Sequence, residues 1–138
     1  MLSAGNIVAF VPTTDFARAR TFYADLLGLQ VVSEDDFALA LEVSGTTVRV
    51  TKVETLDPAP YTILGWEVAN IRDVVATLAR RGVVFTRYAW FDQDDLGIWT
   101  APGGAHVAWF KDPDGNVLSI SQAASRGQTA VDSAHPAR

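Results

Sequence analysis

Two short stretches decide the fold: FYADLLGL at residues 22–29 and FKDPDGN at residues 110–116. In the first, aromatic and leucine side chains recur at helical spacing, and Gly28 stands where a helix commonly ends in a left-handed residue. In the second, Asp, Pro and Gly follow an apolar run, which is typical of a tight turn between strands. The two stretches predict a helix early in the chain and a hairpin near its end.

The residues around the first stretch predict the order βαβββ for the first half. Asp15 is placed to cap the helix, and Ser44 with Gly45 predicts a tight turn between the last two strands. The predicted strands are residues 6–11, 29–33, 37–43 and 46–53.

The second half repeats this order with an added loop. Asn70 is a plausible N-cap for a second amphipathic helix that ends at Gly82. The predicted strands are residues 61–68, 83–88, 97–101, 106–111 and 117–121. We therefore expect one α+β domain over residues 1–122, with module 1 at about 5–55 and module 2 at about 61–122. Residues 123–138 lose apolar periodicity and are expected to form a disordered tail.

Composition narrows the function classes. The chain has 138 residues, a formal net charge of -5 and no cysteine, which excludes disulfides and thiolate metal sites. An acidic chain is a poor partner for nucleic acid, since such binding depends on clustered Lys and Arg. No apolar run is long enough to span a bilayer and no secretory signal is evident, so we expect a cytoplasmic protein without membrane contact.

Few residues suit catalysis, whereas aromatic residues are abundant in the second half. The two histidines are His106, expected on the sheet face opposite Val107 and Trp109, and His135 in the tail. All four tryptophans follow residue 60, and aromatic walls commonly hold flat apolar ligands. The acidic loop 92–95 beside them either faces a cationic ligand or is simply solvated.

Asp15 and Ala19, together with the two stretches quoted first, resemble the vicinal oxygen chelate superfamily. This group includes glyoxalase I, bleomycin-resistance proteins, fosfomycin-modifying enzymes and extradiol dioxygenases. The resemblance covers about residues 5–122 and implies two βαβββ modules forming a curved mixed sheet around a cleft, commonly as a homodimer.

The resemblance also implies where a metal would bind. Metal-dependent members carry ligands at three aligned strand positions, usually His, His and Glu, and these positions are Val8, Ile63 and Ser119 here. Valine and isoleucine cannot ligate, and a neutral serine hydroxyl is a poor ligand. We therefore predict no metal and no cofactor.

The same alignment predicts a cleft lined almost entirely by apolar side chains, with Ser119 and Tyr61 available to orient a ligand. The leading hypothesis is a metal-independent protein of the bleomycin-resistance type, with a role in antibiotic resistance, that holds a small aromatic, hydrophobic or cationic molecule. The alternative for the same side chains is an ordinary core without a cavity. The predicted ligand-binding residues are Val8, Phe10, Val48, Val50, Tyr61, Ile63, Val107, Trp109 and Ser119.

Two enzyme hypotheses stay open beside it. A metal-free isomerase or lyase would use an acid or base, for which Glu67 is the best candidate and Tyr61, His106 or a loop carboxylate are others. A metal-dependent lyase or dioxygenase would need non-standard ligands, for example Glu67 with Asp94 or Asp95.

Overall fold

The computed structural model describes residues 1–125, which form two compact units that divide after Pro58. Each unit holds one main helix and one four-stranded mixed sheet, so the predicted α+β class and the predicted order βαβββ are confirmed. The predicted tail at 123–138 lies outside the described residues from residue 126 onward, and so does His135.

The first unit starts with a short 3-10 turn at Leu2–Ala4 and continues with four strands and a helix. The helix α1 spans Phe16–Arg20 and continues as a π-helical segment, Thr21–Leu26. The strands are β1 Val8–Thr13, β2 Gln30–Glu34, β3 Ala38–Val43 and β4 Thr46–Lys52.

The predicted helix limits are correct, but the helix changes its hydrogen-bonding pattern within them. The Asp15 carboxylate caps the start by accepting from the Arg18 N–H at 3.1 Å, and Gly28 follows the end with φ +79°. Leu27 N–H donates to the Phe22 carbonyl five residues earlier. This wider turn brings the consecutive residues Phe22 and Tyr23 into the core, where their rings meet edge to face at 5.0 Å.

The first sheet has the order β1-β4-β3-β2, with β1 parallel to β4 and the other pairs antiparallel. Ser44 and Gly45 both have positive φ, which the tight turn between β3 and β4 requires. One face of the sheet carries the core of this unit, whose members are Val11, Leu39, Leu41, Val48 and Val50.

The second unit contains β5 Thr62–Glu67, α2 Ile71–Arg80, β6 Trp99–Thr100, β7 His106–Lys111 and β8 Val117–Gln122. The sheet order is β5-β8-β7-β6, so β8 pairs parallel with β5 and antiparallel with β7. The Asn70 side chain caps α2 by accepting from the Asp73 N–H at 3.2 Å, as predicted. Within residues 1–125, no helix combines the length and the apolar character needed to cross a bilayer.

The predicted strand at 83–88 is wrong apart from one bridge. Phe85 bridges Phe110, and the Thr86 N–H donates to the Trp109 carbonyl at 2.7 Å. Pairing stops there because the Tyr88 N–H is bound instead by the side chain of Gln93, at 2.8 Å, which turns the chain into a loop.

The turn after β7 is held by one buried carboxylate. Asp112 Oδ1 accepts from the backbone N–H groups of Asp114 and Asn116, and Oδ2 accepts from the Asn116 side-chain amide at 2.8 Å. Asp112 and Asn116 are only 5% and 2% exposed, so these donors have little access to water. The turn therefore fixes how β7 reverses into β8.

We expect Asp112→Ala to lower the free energy of unfolding by about 2–4 kcal/mol, because it leaves buried donors without an acceptor. The measurement is chemical denaturation followed by tryptophan fluorescence. Asp36→Ala, which removes an exposed carboxylate, is the matched control and should change the free energy by less than about 0.5 kcal/mol. Equal denaturation midpoints for the two variants would contradict the assigned role of Asp112.

Candidate functional site

The four predicted ligand-binding residues of the first unit do not share one face of its sheet. Phe10 is paired with Arg49 and Val11 with Val50, so Val8 and Phe10 lie on the face opposite Val50. Val48 lies on the same face as Val50, and the two side chains are 3% and 0% exposed. The expected common lining is therefore wrong. The physical reason for the error is the register between β1 and β4, which pairs Val48 and Val50 with Ala9 and Val11 and so places both valines on the core face.

Val8 and Phe10 remain accessible, at 40% and 62% exposure. Of the four ligand-binding residues predicted in this unit, these two are accessible to a ligand. Their role in binding stays a prediction.

The second unit contains a groove of about 320 Å³ along β5 and β8. In the sheet register, Gly65 is paired with Ser119 and Glu67 with Ser121, so these four residues face the same side. The groove is lined by Thr62, Ile63, Leu64, Gly65, Trp66, Glu67, Ser119 and Ser121. It brings together three residues predicted from sequence, namely Ile63, Glu67 and Ser119, and adds Gly65 and Ser121, which sequence reasoning missed.

The strand β5 is not regular, which changes how Ile63 and Glu67 are related. The pairing with β8 shifts between Thr62 and Leu64, so Ile63 is an extra residue opposite the β8 backbone. Counting alternate positions from Ile63 is therefore not a valid way to orient Glu67. Its orientation follows instead from its own pairing with Ser121, and Glu67 is exposed at the end of the groove.

Gly65 leaves space on the β5 side for the hydroxyl of Ser119, a residue that is 3% exposed. A Cβ atom at position 65 would lie 2.6 Å from Ser119 Oγ, well inside van der Waals contact. A glycine within a strand often marks a close approach of this kind, and this is the signal that sequence reasoning overlooked. The absence of a side chain at position 65 therefore gives the groove a polar floor.

The predicted lining residues Val107 and Trp109 lie on the same face as Ser119 but are covered. Trp109 is paired with Ser119 and Val107 with Ser121, and the exposed fractions are 3% for Trp109 and 0% for Val107. The cover is aromatic: Tyr88, Phe91 and Trp99 pack against this cluster. Val107 and Trp109 thus belong to a packed core, which was the alternative to a cleft lining, because the loop after α2 folds over β7.

The loop that provides this cover is fixed by two side chains of the acidic segment 92–95. Gln93 Nε2 donates to the carbonyls of Thr86 and Gly97 at 2.9 and 2.8 Å, in addition to its bond to Tyr88. Asp94 Oδ1 accepts from the N–H groups of Leu96 and Ile98, both at 2.9 Å.

These bonds decide the role of the loop carboxylates. Asp94 Oδ2 also binds the Arg72 guanidinium at 2.7 Å, so both of its oxygens are engaged within the protein. Asp95 is exposed and lies 3.6 Å from the same guanidinium. Asp94 therefore serves to shape the loop, and the hypothesis that it ligates a metal or faces a cation is not supported by its contacts.

Tyr61 and His106 are not among the residues that line the groove. Tyr61 precedes β5 and is 67% exposed. His106 lies on the opposite face from Val107 and Trp109, as predicted, and its Nδ1 is 2.9 Å from the Thr100 hydroxyl. It lines a separate cavity of about 300 Å³ beside the start of α2. Neither residue is placed to act together with Glu67.

The residues present do not fit the metal site of the family. At the aligned positions stand Val8, Ile63 and Ser119, which offer one neutral hydroxyl between them. Within residues 1–125, no three His, Asp, Glu or Cys side chains lie close enough together to hold a metal ion. Glu67 with Asp94 or Asp95, the non-standard metal ligands considered from the sequence, are therefore not part of any such three-residue group in residues 1–125.

Comparison with known proteins identifies the family. Residues 6–120 match the model of the Glyoxalase/Bleomycin resistance protein/Dioxygenase superfamily, and the chain belongs to this superfamily. A comparison with curated proteins gives no match.

Solved structures share the fold at low sequence identity. A superfamily member from Sphaerobacter thermophilus is 23% identical with a TM-score of 0.68, and the match covers 88% of this chain and 99% of that one. A bleomycin-binding protein in complex with bleomycin is 19% identical, also with a TM-score of 0.68, over 86% and 98% of the two chains. A glyoxalase family protein from Bacillus anthracis is 14% identical with a TM-score of 0.68, over 86% and 93%. At these identities the likeness establishes the fold.

The covered position of Tyr88 predicts a pH effect. Burial raises the pKa of Tyr88 above its usual 10.0, because the tyrosinate is poorly solvated beneath the neighbouring rings. The folded state then keeps the phenol proton at a pH where the unfolded chain has lost it, so stability falls as pH rises from about 10 toward the raised pKa.

In an alkaline titration followed by tyrosinate absorbance, we expect a late-titrating component whose amplitude falls by one tyrosine in Tyr88→Phe. This variant keeps the ring and removes the ionisable group. Tyr61→Phe, which changes an exposed tyrosine, should leave the late component in place. An undiminished amplitude of the late component in Tyr88→Phe would show that Tyr88 does not contribute to it.

Proposed function

We propose that the protein binds a small aromatic or hydrophobic molecule without a metal ion and without altering it chemically. The observation that carries the proposal is the groove beside β5 and β8, where the apolar residue Ile63 lines the same concavity as Ser119 and Ser121. Ligand sites are typically apolar concavities of at least about 300 Å³ with a few polar groups that orient the ligand. The bleomycin-binding relative supports the same class of activity within the superfamily.

Independence from metal is part of this proposal and rests on donor chemistry. A site for a catalytic divalent metal ordinarily offers about three imidazole or carboxylate ligands. The aligned residues here offer a single hydroxyl, on Ser119. Metal chemistry of the type found in the glyoxalase and dioxygenase branches is therefore not proposed for this chain.

A metal-free isomerase or lyase is the second candidate, and one observation favours it. Glu67 is the single ionisable residue among those that line the groove, where it lies beside Ser121. A carboxylate in that place is able to accept a proton from a bound ligand. Glu67→Gln should abolish turnover of any substrate under this reading, whereas under the binding reading it leaves the ligand's affinity within about threefold and no turnover is seen.

Antibiotic resistance, homodimer formation and a cytoplasmic location stay predictions from the sequence. Analytical ultracentrifugation of the purified chain tests homodimer formation directly.

The test of ligand binding uses equilibrium titration with bleomycin and a panel of planar aromatic compounds, read by tryptophan fluorescence. We expect at least one saturable ligand, and Ser119→Ala should weaken it by about three- to tenfold through loss of one hydrogen bond. Gly65→Ala should weaken it at least as much, because the new methyl group would cover the Ser119 hydroxyl.

Gly5→Ala is the matched control for the second variant. A Cβ there would meet only the Leu2 carbonyl, at 3.4 Å, and the position is far from β5 in sequence. This control should bind like the unmodified protein. If no compound in the panel saturates, or if the two glycine variants behave alike, the groove is not the binding site.

A further inference from the structure

Phe91 occupies the middle of a group of aromatic rings that we call the aromatic enclosure, formed by Tyr88, Trp90, Trp99 and Trp109. The Phe91 ring is stacked on Trp109 at 5.1 Å with an interplanar angle of 2°, and its centroid is 4.4 Å from that of Trp99. Tyr88 meets it edge to face at 6.0 Å, and Trp90 lies at the same centroid distance. Such offset and edge contacts are the arrangement in which aromatic rings attract one another.

The chain segment that carries Phe91 is closed at its base and lightly held at its tip. Gln93 fixes the base through its three hydrogen bonds to Thr86, Tyr88 and Gly97. At the tip, among the described loop hydrogen bonds, the Phe91 N–H donates to the Tyr88 carbonyl at 3.1 Å. Phe91 is therefore kept in place chiefly by ring contacts, and those are contacts that another aromatic group can replace.

The aromatic enclosure adjoins the groove. Trp109, on which Phe91 is stacked, is paired with Ser119, and Ser119 in turn is paired with Gly65. The three residues face the same side of the sheet, so a ligand in the groove lies next to the covered face of Trp109. Removal of Phe91 from this position would free the Trp109 ring face on which it is stacked, while Tyr88 and Trp99 keep their contacts with Trp109.

We propose that Phe91 is an internal occupant of an aromatic site, and that a ligand bearing a phenyl-sized ring takes its place on Trp109 when residues 89–92 lift. This deepens the proposed function, on which it rests, by naming the ligand class and the gate that controls access. The apparent affinity of such a site is its intrinsic affinity multiplied by the fraction of molecules in which Phe91 is displaced, so it is low when that fraction is small. Replacing Phe91 by a small residue removes that competition.

The test uses benzyl alcohol, a soluble neutral probe that carries the same ring as phenylalanine. In the unmodified protein, saturation with the probe should move the Phe91 ring signals in the NMR spectrum from ring-current-shifted positions toward those of an exposed phenylalanine. In Phe91→Ala the probe should bind at least about tenfold more tightly, since no internal ring competes.

Phe85→Ala is the matched control, because Phe85 packs at 5.5 Å on Phe110, a residue of the opposite sheet face. It should bind the probe as the unmodified protein does. Unchanged Phe91 signals at saturating probe would overturn the proposal, as would equal gains in affinity for the two alanine variants. If Phe91→Ala does not fold, the Phe91 signals of the unmodified protein decide the matter alone.

The outcome separates the gate from the proposed function. A groove ligand whose affinity depends on Ser119 but whose binding leaves the Phe91 signals in place would keep the binding function and exclude the gate. Displacement of Phe91 by benzyl alcohol without any ligand that depends on Ser119 would exclude the groove and keep the aromatic site.

Discussion

The position of β8 between β5 and β7 is the constraint on which the second unit depends. Because β8 pairs on both edges, each of residues 117–121 is aligned with one residue on either side. Ser119 is thereby placed between Gly65 and Trp109, and Ile120 between Trp66 and Ala108. Alternation along a strand then assigns the first set to the groove side and the second to the opposite side. A shift by one residue would exchange the two faces.

The loop after α2 determines which part of the groove-side face is covered and which part remains a groove. Its anchor is a neutral amide, Gln93, which accepts from one backbone N–H and donates to two carbonyls. Asp94 and Arg72 add a partly exposed ion pair, which contributes little stability by itself but fixes the direction of the loop. With its base fixed in this way, the loop lays aromatic rings over Trp109 and leaves the strip between Gly65 and Ser121 as the groove.

Local patterns were sufficient for the fold. The caps at Asp15 and Asn70, the left-handed glycines 28 and 82, and the turn at 112–116 all form as the sequence predicts. Each rests on a hydrogen bond or a backbone angle between residues a few positions apart, which sequence spacing specifies directly. The two stretches also carried the resemblance that the family match confirms.

The site was predicted less well, because it depends on contacts between distant residues. The alignment implied by the resemblance placed Val48 and Val50 with Phe10, but the parallel register with β1 separates them. The bulge in β5 is not visible in the sequence pattern, and the acidic segment gave no sign that Asp94 is committed to its own loop. Sequence alone thus determined the helices, the order βαβββ and the lack of metal-ligand side chains at the aligned positions, but not the loop that replaces the predicted strand at 83–88. The tertiary structure decided which side chains are covered, since strand register and the packing of a long loop are set by residues far apart in the chain.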